Sequence, residues 1–340
     1  MPAFPTTPIA KLTGHNGPVH AVAYSAGSAQ YILTGSTDRL IRLYNPSRAP
    51  TSSSPDSSTT PPGLVQTYPG HAYEVLDVAV APDNARFASA GGDKLVYVWD
   101  VAAARTLRRF EGHAGKVNAV AWGGDGGSVV ASGSFDAAVK LWDLKSQSYK
   151  PLITLSEARD SVSSVAISGW EVYAGSVDGR LRVYDIRTGA VSTDVIGHPV
   201  TSATPTKAGD SVLISTLDST LRLMDKSTGK LLQAYRAPNY TNTTYRLRST
   251  LGQADTTILS GSESGALFVW DLVSGNVLHE LRHGAEAPPP SVAVGGKPAE
   301  AKTSSRNIVS AVAYCPARAE WCSGGGDGNV VVWGTAEPRS

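Results

Sequence analysis

Cysteine is nearly absent from this 340-residue chain, which has two cysteines, two methionines and five phenylalanines. So little cysteine excludes a disulfide framework. With no second pair and no histidine at finger spacing, it also excludes a zinc finger. An excess of one charge is missing too: 30 basic side chains stand against 29 acidic ones, for a formal charge of +1. No global field therefore draws the chain to nucleic acid or anionic lipid, and neither is expected as a direct partner. No run approaches the length of a membrane-spanning apolar segment. The opening "MPAFPTTPIAK" carries no apolar leader, so the expected setting is reducing, in the cytoplasm and the nucleus. Amphipathic helical periodicity is also lacking.

What is present is repetition. Turn-plus-strand units recur as "TGSTDRLIRLYN", "ASAGGDKLVYVWD", "ASGSFDAAVKLWD", "AGSVDGRLRVYD", "STLDSTLRLMD", "SGSESGALFVWD" and "SGGGDGNVVVWG". The central units lie about 40 residues apart, the length of a four-stranded propeller blade. Short alternating stretches such as "VNAVAW" read as strands, and Asp-Gly, Asp-Lys and Ser-Gly pairs read as tight hairpin turns. Seven units predict an all-β, seven-bladed propeller over residues 8–335. After Trp333 too little chain remains for an outer strand, whereas "PIAKLTGH" has the form of one with no blade before it. Residues 8–12 are therefore expected to complete the last blade and leave no open sheet edge. Two segments break the period, 46–63 and 283–306. Both are rich in Pro, Ser, Gly or Ala and are expected to be disordered.

Histidine, serine and aspartate, the materials of a hydrolase triad, recur with an aromatic residue as His71, Ser89, Asp93 and Trp99 and as His113, Ser132, Asp136 and Trp142. A partial copy is His15, Thr34, Asp38 and Tyr44. A catalytic site is built once, so a constellation that repeats and decays around the chain reads as a structural brace. No catalytic residue, metal ligand or cofactor site is expected. Cys315 and Cys322 read as core fillers, and the glycines at 324–326 precede a strand rather than the helix of a phosphate loop. The basic stretches "RTLRRF" and "YRLRS" read as solvated outer-strand charge.

Function is then expected on a loop-built face. The residues read as preceding each turn acid are Thr37, Gly92, Phe135, Val177, Leu217, Ser262 and Gly326. Phe135, Val177 and Leu217 form an apolar arc for partner docking. Glu74, Leu76, Lys116 and Asn118, with Ser161 and Ser163, supply a rim beside it. Two sequence units, "VYDIR" and "LWDLK", also resemble the endings of cullin-RING ubiquitin ligase substrate receptors, which leaves that function as the alternative.

The Trp-Asp endings with Gly-His before them resemble WD-repeat proteins over nearly the whole chain. "GHAYEVLDV", "GGDKLVYVWDV", "EGHAGKVN", "EARDSVSSV" and "LDSTLRLMDKSTG" are similar to the mitogen-activated protein kinase organizer branch of that family. The resemblance implies a non-enzymatic scaffold whose partners are kinase-cascade members, spliceosome components or both; the chain is expected to be a monomer. Both insertions, and the "NYTNTTY" stretch where the sixth Gly-His should stand, depart from the family pattern.

Overall fold

A computed structural model describes residues 4–49, 60–284 and 307–335. The central parts of the two inserted segments, 50–59 and 285–306, lie outside the described residues. Seven antiparallel four-stranded sheets follow one another around a ring. Six are formed in chain order. The seventh combines Val309–Cys315, Glu320–Gly325 and Val330–Gly334 with the N-terminal strand Thr7–Leu12, which pairs with Val330–Gly334 at the outer edge. Ala10 and Leu12 are buried there, and the indole N–H of Trp321 donates to the Pro5 carbonyl at 2.8 Å. The ring is thus closed by residues distant in sequence.

Alternation explains the layers. In each blade the middle strands are buried on both faces, so they read as runs such as "VYVWD" and "VKLWD" rather than strict alternation. Trp99 stacks on Phe87 with ring centroids 5.8 Å apart, and Trp142 on Phe110 at 5.0 Å. Adjacent blades need a flat contact, which explains the glycine of "SGS". A Cβ on Gly133 would stand 2.6 Å from methyl carbons of Val162 and Val165 in the next blade. In the hairpins between second and third strands, Lys94, Ala137, Gly179 and Gly328 take positive φ of 67°, 62°, 75° and 81°.

The innermost strands carry a recurrent irregularity. In six blades the register shifts around one residue near the strand start, at positions 20, 76, 118, 163, 201 and 310. A bulge re-aims its side chain. His20, Leu76, Asn118 and Ser310 accordingly line the mouth of the central channel.

Candidate functional site

In the second and third blades the repeated constellation forms a continuous hydrogen-bonded chain. The Trp99 indole N–H donates to Ser89 Oγ at 2.8 Å. Ser89 Oγ lies 2.7 Å from His71 Nε2, and His71 Nδ1 lies 2.8 Å from an Asp93 carboxylate oxygen. The third blade repeats this as Trp142–Ser132 at 2.8 Å, Ser132–His113 at 2.8 Å and His113–Asp136 at 2.9 Å. One proton arrangement satisfies every member: indole to serine, serine hydroxyl to imidazole Nε2, Nδ1–H to carboxylate. The carboxylate also accepts the backbone N–H that follows each histidine. The imidazoles and serines are buried and wholly engaged with one another. The imidazole Nε2 is placed as the base of a serine triad would be, but a nucleophile also needs access, and Ser89 and Ser132 are fully buried.

The other blades solve the same local problem with different residues. In the first, His15 bridges Thr34 at 2.7 Å and Asp38 at 2.9 Å, and Arg42 reaches Asp38 at 2.7 Å. Tyr44 does not join this chain; its hydroxyl donates to the Thr13 carbonyl instead. The fourth and fifth blades lack the histidine, and an arginine of the third strand takes its place. Arg182 binds Asp178 at 2.7 Å and Arg222 binds Asp218 at 2.5 Å. The Gly-His at 197 and 198 stands too close to its inner strand, so His198 remains half exposed, 3.6 Å from Asp218. In the sixth blade Tyr240 replaces histidine, 3.1 Å from Ser260, and the buried indole N–H of Trp270 has no partner among the described residues. The seventh blade holds a tetrad that the Gly-His pattern does not reveal. His283 Nδ1 lies 2.8 Å from Ser323, which accepts from Trp333 at 2.9 Å, while Nε2 faces the Asn329 carbonyl at 3.3 Å and Asp327 at 3.5 Å. Its ring is reversed, and the signal in sequence was the strand "VLHELR" ending just before His283.

These networks carry a pH signature. Burial lowers the pKa of His113 and His15 more than their aspartates raise it. An imidazole depressed in the fold stabilises it fully above the unfolded value near 6.5 and loses that contribution as pH falls. Burial alone would raise Asp178, Asp218 and Asp327, but hydrogen bonds from Arg182, Arg222 and His283 prevail and hold all three at about 2. Their contribution is present above the unfolded pKa of 3.8 and disappears toward about 2. The urea midpoint is expected to be flat from about pH 7 to 9, to fall gently below about 6.5, and to fall steeply below about 4. A midpoint that rises on acidification from neutral pH would refute this assignment.

The N–H of the residue before the turn acid donates to a carbonyl where the inner strand begins, for example Gly92 to Glu74 at 3.0 Å, Phe135 to Lys116 at 2.9 Å and Val177 to Ser161 at 2.9 Å. These elements therefore share one face. Phe135 is 59% exposed and Val177 37%, whereas Leu217 is partly buried. In the sixth blade the equivalent residue is Glu263 rather than Ser262: its N–H donates to the Thr241 carbonyl. Lys116 is exposed and sits 5.8 Å over the Phe135 ring, and Glu74 and Leu76 are half-buried. Asn118 borders the mouth but is not an exposed rim residue. It is buried and its amide is spent on Ser161 Oγ at 3.0 Å and the Val162 carbonyl at 2.8 Å; Ser161 and Ser163 are buried as well.

A cavity of about 490 Å³ opens between these loops at the channel mouth, lined in part by His20, Glu74, Leu76, Lys116, Tyr245 and Arg246. "YRLRS" is consequently not outer-strand charge. Leu247 is buried just before the sixth inner strand, Ser249–Gly252, and Arg246 and Arg248 flank it. Arg248 pairs with Asp77 at 2.6 Å, and Asp77 also accepts the Val120 N–H at 2.9 Å. Arg246 donates to the carbonyls of Leu76 at 2.8 Å, Ser163 at 2.9 Å and Asn118. Among the described residues no cluster of three or more His, Cys, Asp or Glu is placed to hold a metal ion. Cys315 and Cys322 are buried free thiols whose pKa values burial raises.

A family profile described as "WD domain, G-beta repeat" matches residues 6–45, 62–100 and 104–143. Each matched unit begins on the outer strand of one blade and ends on the third strand of the next, so the sequence repeat itself staples neighbouring sheets. The chain is 40% identical over 316 residues to WD repeat domain-containing protein 83 of Rattus norvegicus, covering 93% of this chain and 88% of that one. It is 43% identical over 274 residues to the protein of the same name in Homo sapiens, covering 81% and 82%. A homolog of that protein in Dictyostelium discoideum is 28% identical over 299 residues, covering 79% and 86%.

Proposed function

Because the chain belongs to the WD-repeat family and is related along most of its length to WD repeat domain-containing protein 83, we propose that it is a non-enzymatic scaffold that assembles protein complexes. The observation that carries this reading is the contrast between its two populations of polar groups. The His/Ser/Asp/Trp sets are buried and consumed by one another, while the upper face exposes Phe135 and Val177 beside Lys116 and Glu74 on a rigid ring. Exposed apolar side chains with a polar border suit protein docking. A scaffold acts by raising the local concentration of its partners, which needs no chemistry of its own.

The finer setting is kinase-cascade signalling, pre-mRNA splicing or both, in the cytoplasm and the nucleus. The motif likeness of the second to fifth blades to kinase-cascade organizers supports it. Docking is assigned to Phe135, Val177 and the edge of Leu217, with Leu76, Glu74 and Lys116 alongside. Affinity purification of wild type and of a Phe135→Asp, Val177→Asp double variant tests this. Both positions are exposed, so the variant is expected to fold and to lose a subset of partners. An unchanged partner list from a folded variant would remove this surface from the account.

A further inference from the structure

Charge at the channel mouth is one-sided. Arg246 and Lys116 line it, and Arg248, paired with Asp77, is near enough to act on His20 in the same lining. Asp77 is committed to Arg248, which leaves Glu74 as the acidic side chain in the cavity lining. His20 registers the imbalance: burial, then Arg246, Arg248 and Lys116, bring its pKa to about 4, so the imidazole is neutral in the fold. Arg246 is also held in advance. Glu263 accepts the backbone N–H groups of Thr243, Thr244 and Tyr245 at 2.8, 2.6 and 2.9 Å, which pins the loop that delivers the arginine. Three blade carbonyls then orient the guanidinium, whose other N–H groups have no acceptor among the described residues. An ordered cation in a concave, partly desolvated site binds an anion without further ordering cost. Exposed aromatic rings stand on the surrounding loops: Tyr73, Phe135 and Tyr245.

We propose that this mouth binds an acidic peptide segment, one Asp or Glu carboxylate seating against Arg246 and Lys116 while flanking apolar residues rest on Tyr73, Phe135 and Tyr245. The proposal rests on the scaffold reading and names the chemistry of one partner. A peptide fits better than nucleic acid. Single-stranded nucleic acid is held by basic grooves that follow successive phosphates, whereas here the cations are gathered in one cavity beside Glu74, which repels a polyanion and can accept a peptide N–H.

The test passes two pools of capped nonapeptides, randomised except for a central Glu or a central Gln, over immobilised full-length protein. Retention of the Glu pool is expected to exceed that of the Gln pool by on the order of tenfold. The preference should weaken with salt, shrink in Lys116→Glu, an exposed position, and vanish in Arg246→Met. Melting curves establish that each variant is folded, and Lys116→Glu decides the matter if Arg246→Met does not fold. Equal retention of the two pools, a preference unchanged in Lys116→Glu, or stronger retention of a ten-nucleotide uridine oligomer than of the Glu pool would overturn the proposal. If the pools are retained equally while the partner list still depends on Phe135 and Val177, the acidic-peptide site falls and the scaffold stands.

Discussion

Removal of residues 1–12 is expected to convert a cooperatively folding chain into an aggregating one. The N-terminal strand is far from the seventh blade in sequence yet supplies its outer edge, pairing from Thr7 with Gly334 to Leu12 with Val330. Its loss uncovers Val330 and Val332, strips Cys322 and Ile32 of the buried Leu12 and Ala10 packed in the same cluster, and leaves the Trp321 N–H without the Pro5 carbonyl. A buried leucine is worth about 2–5 kcal/mol and a stranded buried donor about 1–3 kcal/mol. The loss is therefore comparable to the whole stability of an ordinary domain. The exposed edge "VVVW" is an apolar strand with unpaired backbone, ready to pair with another copy. Light scattering after size exclusion should show oligomers, and a synthetic peptide of residues 4–13 added during refolding should restore the monomer. A truncated protein that stays monomeric with an unchanged urea midpoint would show that the ring does not depend on this closure.

The second large effect separates two tryptophans that occupy the same place in their blades. Trp142 and Trp270 are both fully buried, but Trp142 donates to Ser132 at 2.8 Å while the N–H of Trp270 has no partner among the described residues. Trp142→Ala is expected to cost about 3–5 kcal/mol through the cavity alone. Replacement by phenylalanine isolates the hydrogen bond. Trp142→Phe removes a satisfied donor from a four-membered chain, whereas Trp270→Phe removes one that burial already penalises. Trp142→Phe should therefore be the more destabilising by about 1–2 kcal/mol in urea unfolding. Equal costs for the two substitutions would mean that the indole bond contributes nothing.

The fold was legible in sequence because its determinants are local and repeated: a turn acid and a short apolar strand recur in each blade, and an aromatic-Asp ending in the second, third, fourth and sixth. The closing strand was legible for the same reason, since "PIAKLTGH" has the form of an outer strand without a blade. The tetrads were legible only where the spacing was kept. His283 was hidden because it precedes its glycine and opens an inserted segment. Arg182 and Arg222 were hidden because they do the work of histidine from a different strand. The channel mouth was misread for a single reason. "YRLRS" looks like surface charge unless it is seen to lead into the innermost strand Ser249–Gly252, and only closure of the ring brings Arg246 and Arg248 to the second blade. Asp77 was missed likewise: a carboxylate within "VLDVAV" makes sense only once Arg248 arrives from the opposite side of the ring. Asn118 was expected to be exposed because the one-residue bulge on which it sits leaves no mark in residue type, and Leu217 is less exposed than its place before a turn acid suggests.

A double-mutant cycle on Asp136 and Ser132 tests the bracing role most directly. These residues do not touch; they communicate through His113, to which each is bonded at 2.9 and 2.8 Å. Urea unfolding of wild type, Asp136→Ala, Ser132→Ala and the double variant should show destabilisation by each single change and a coupling of about 1 kcal/mol between them. Additive effects, or single variants as stable as wild type, would contradict the claim that these chains hold the propeller together.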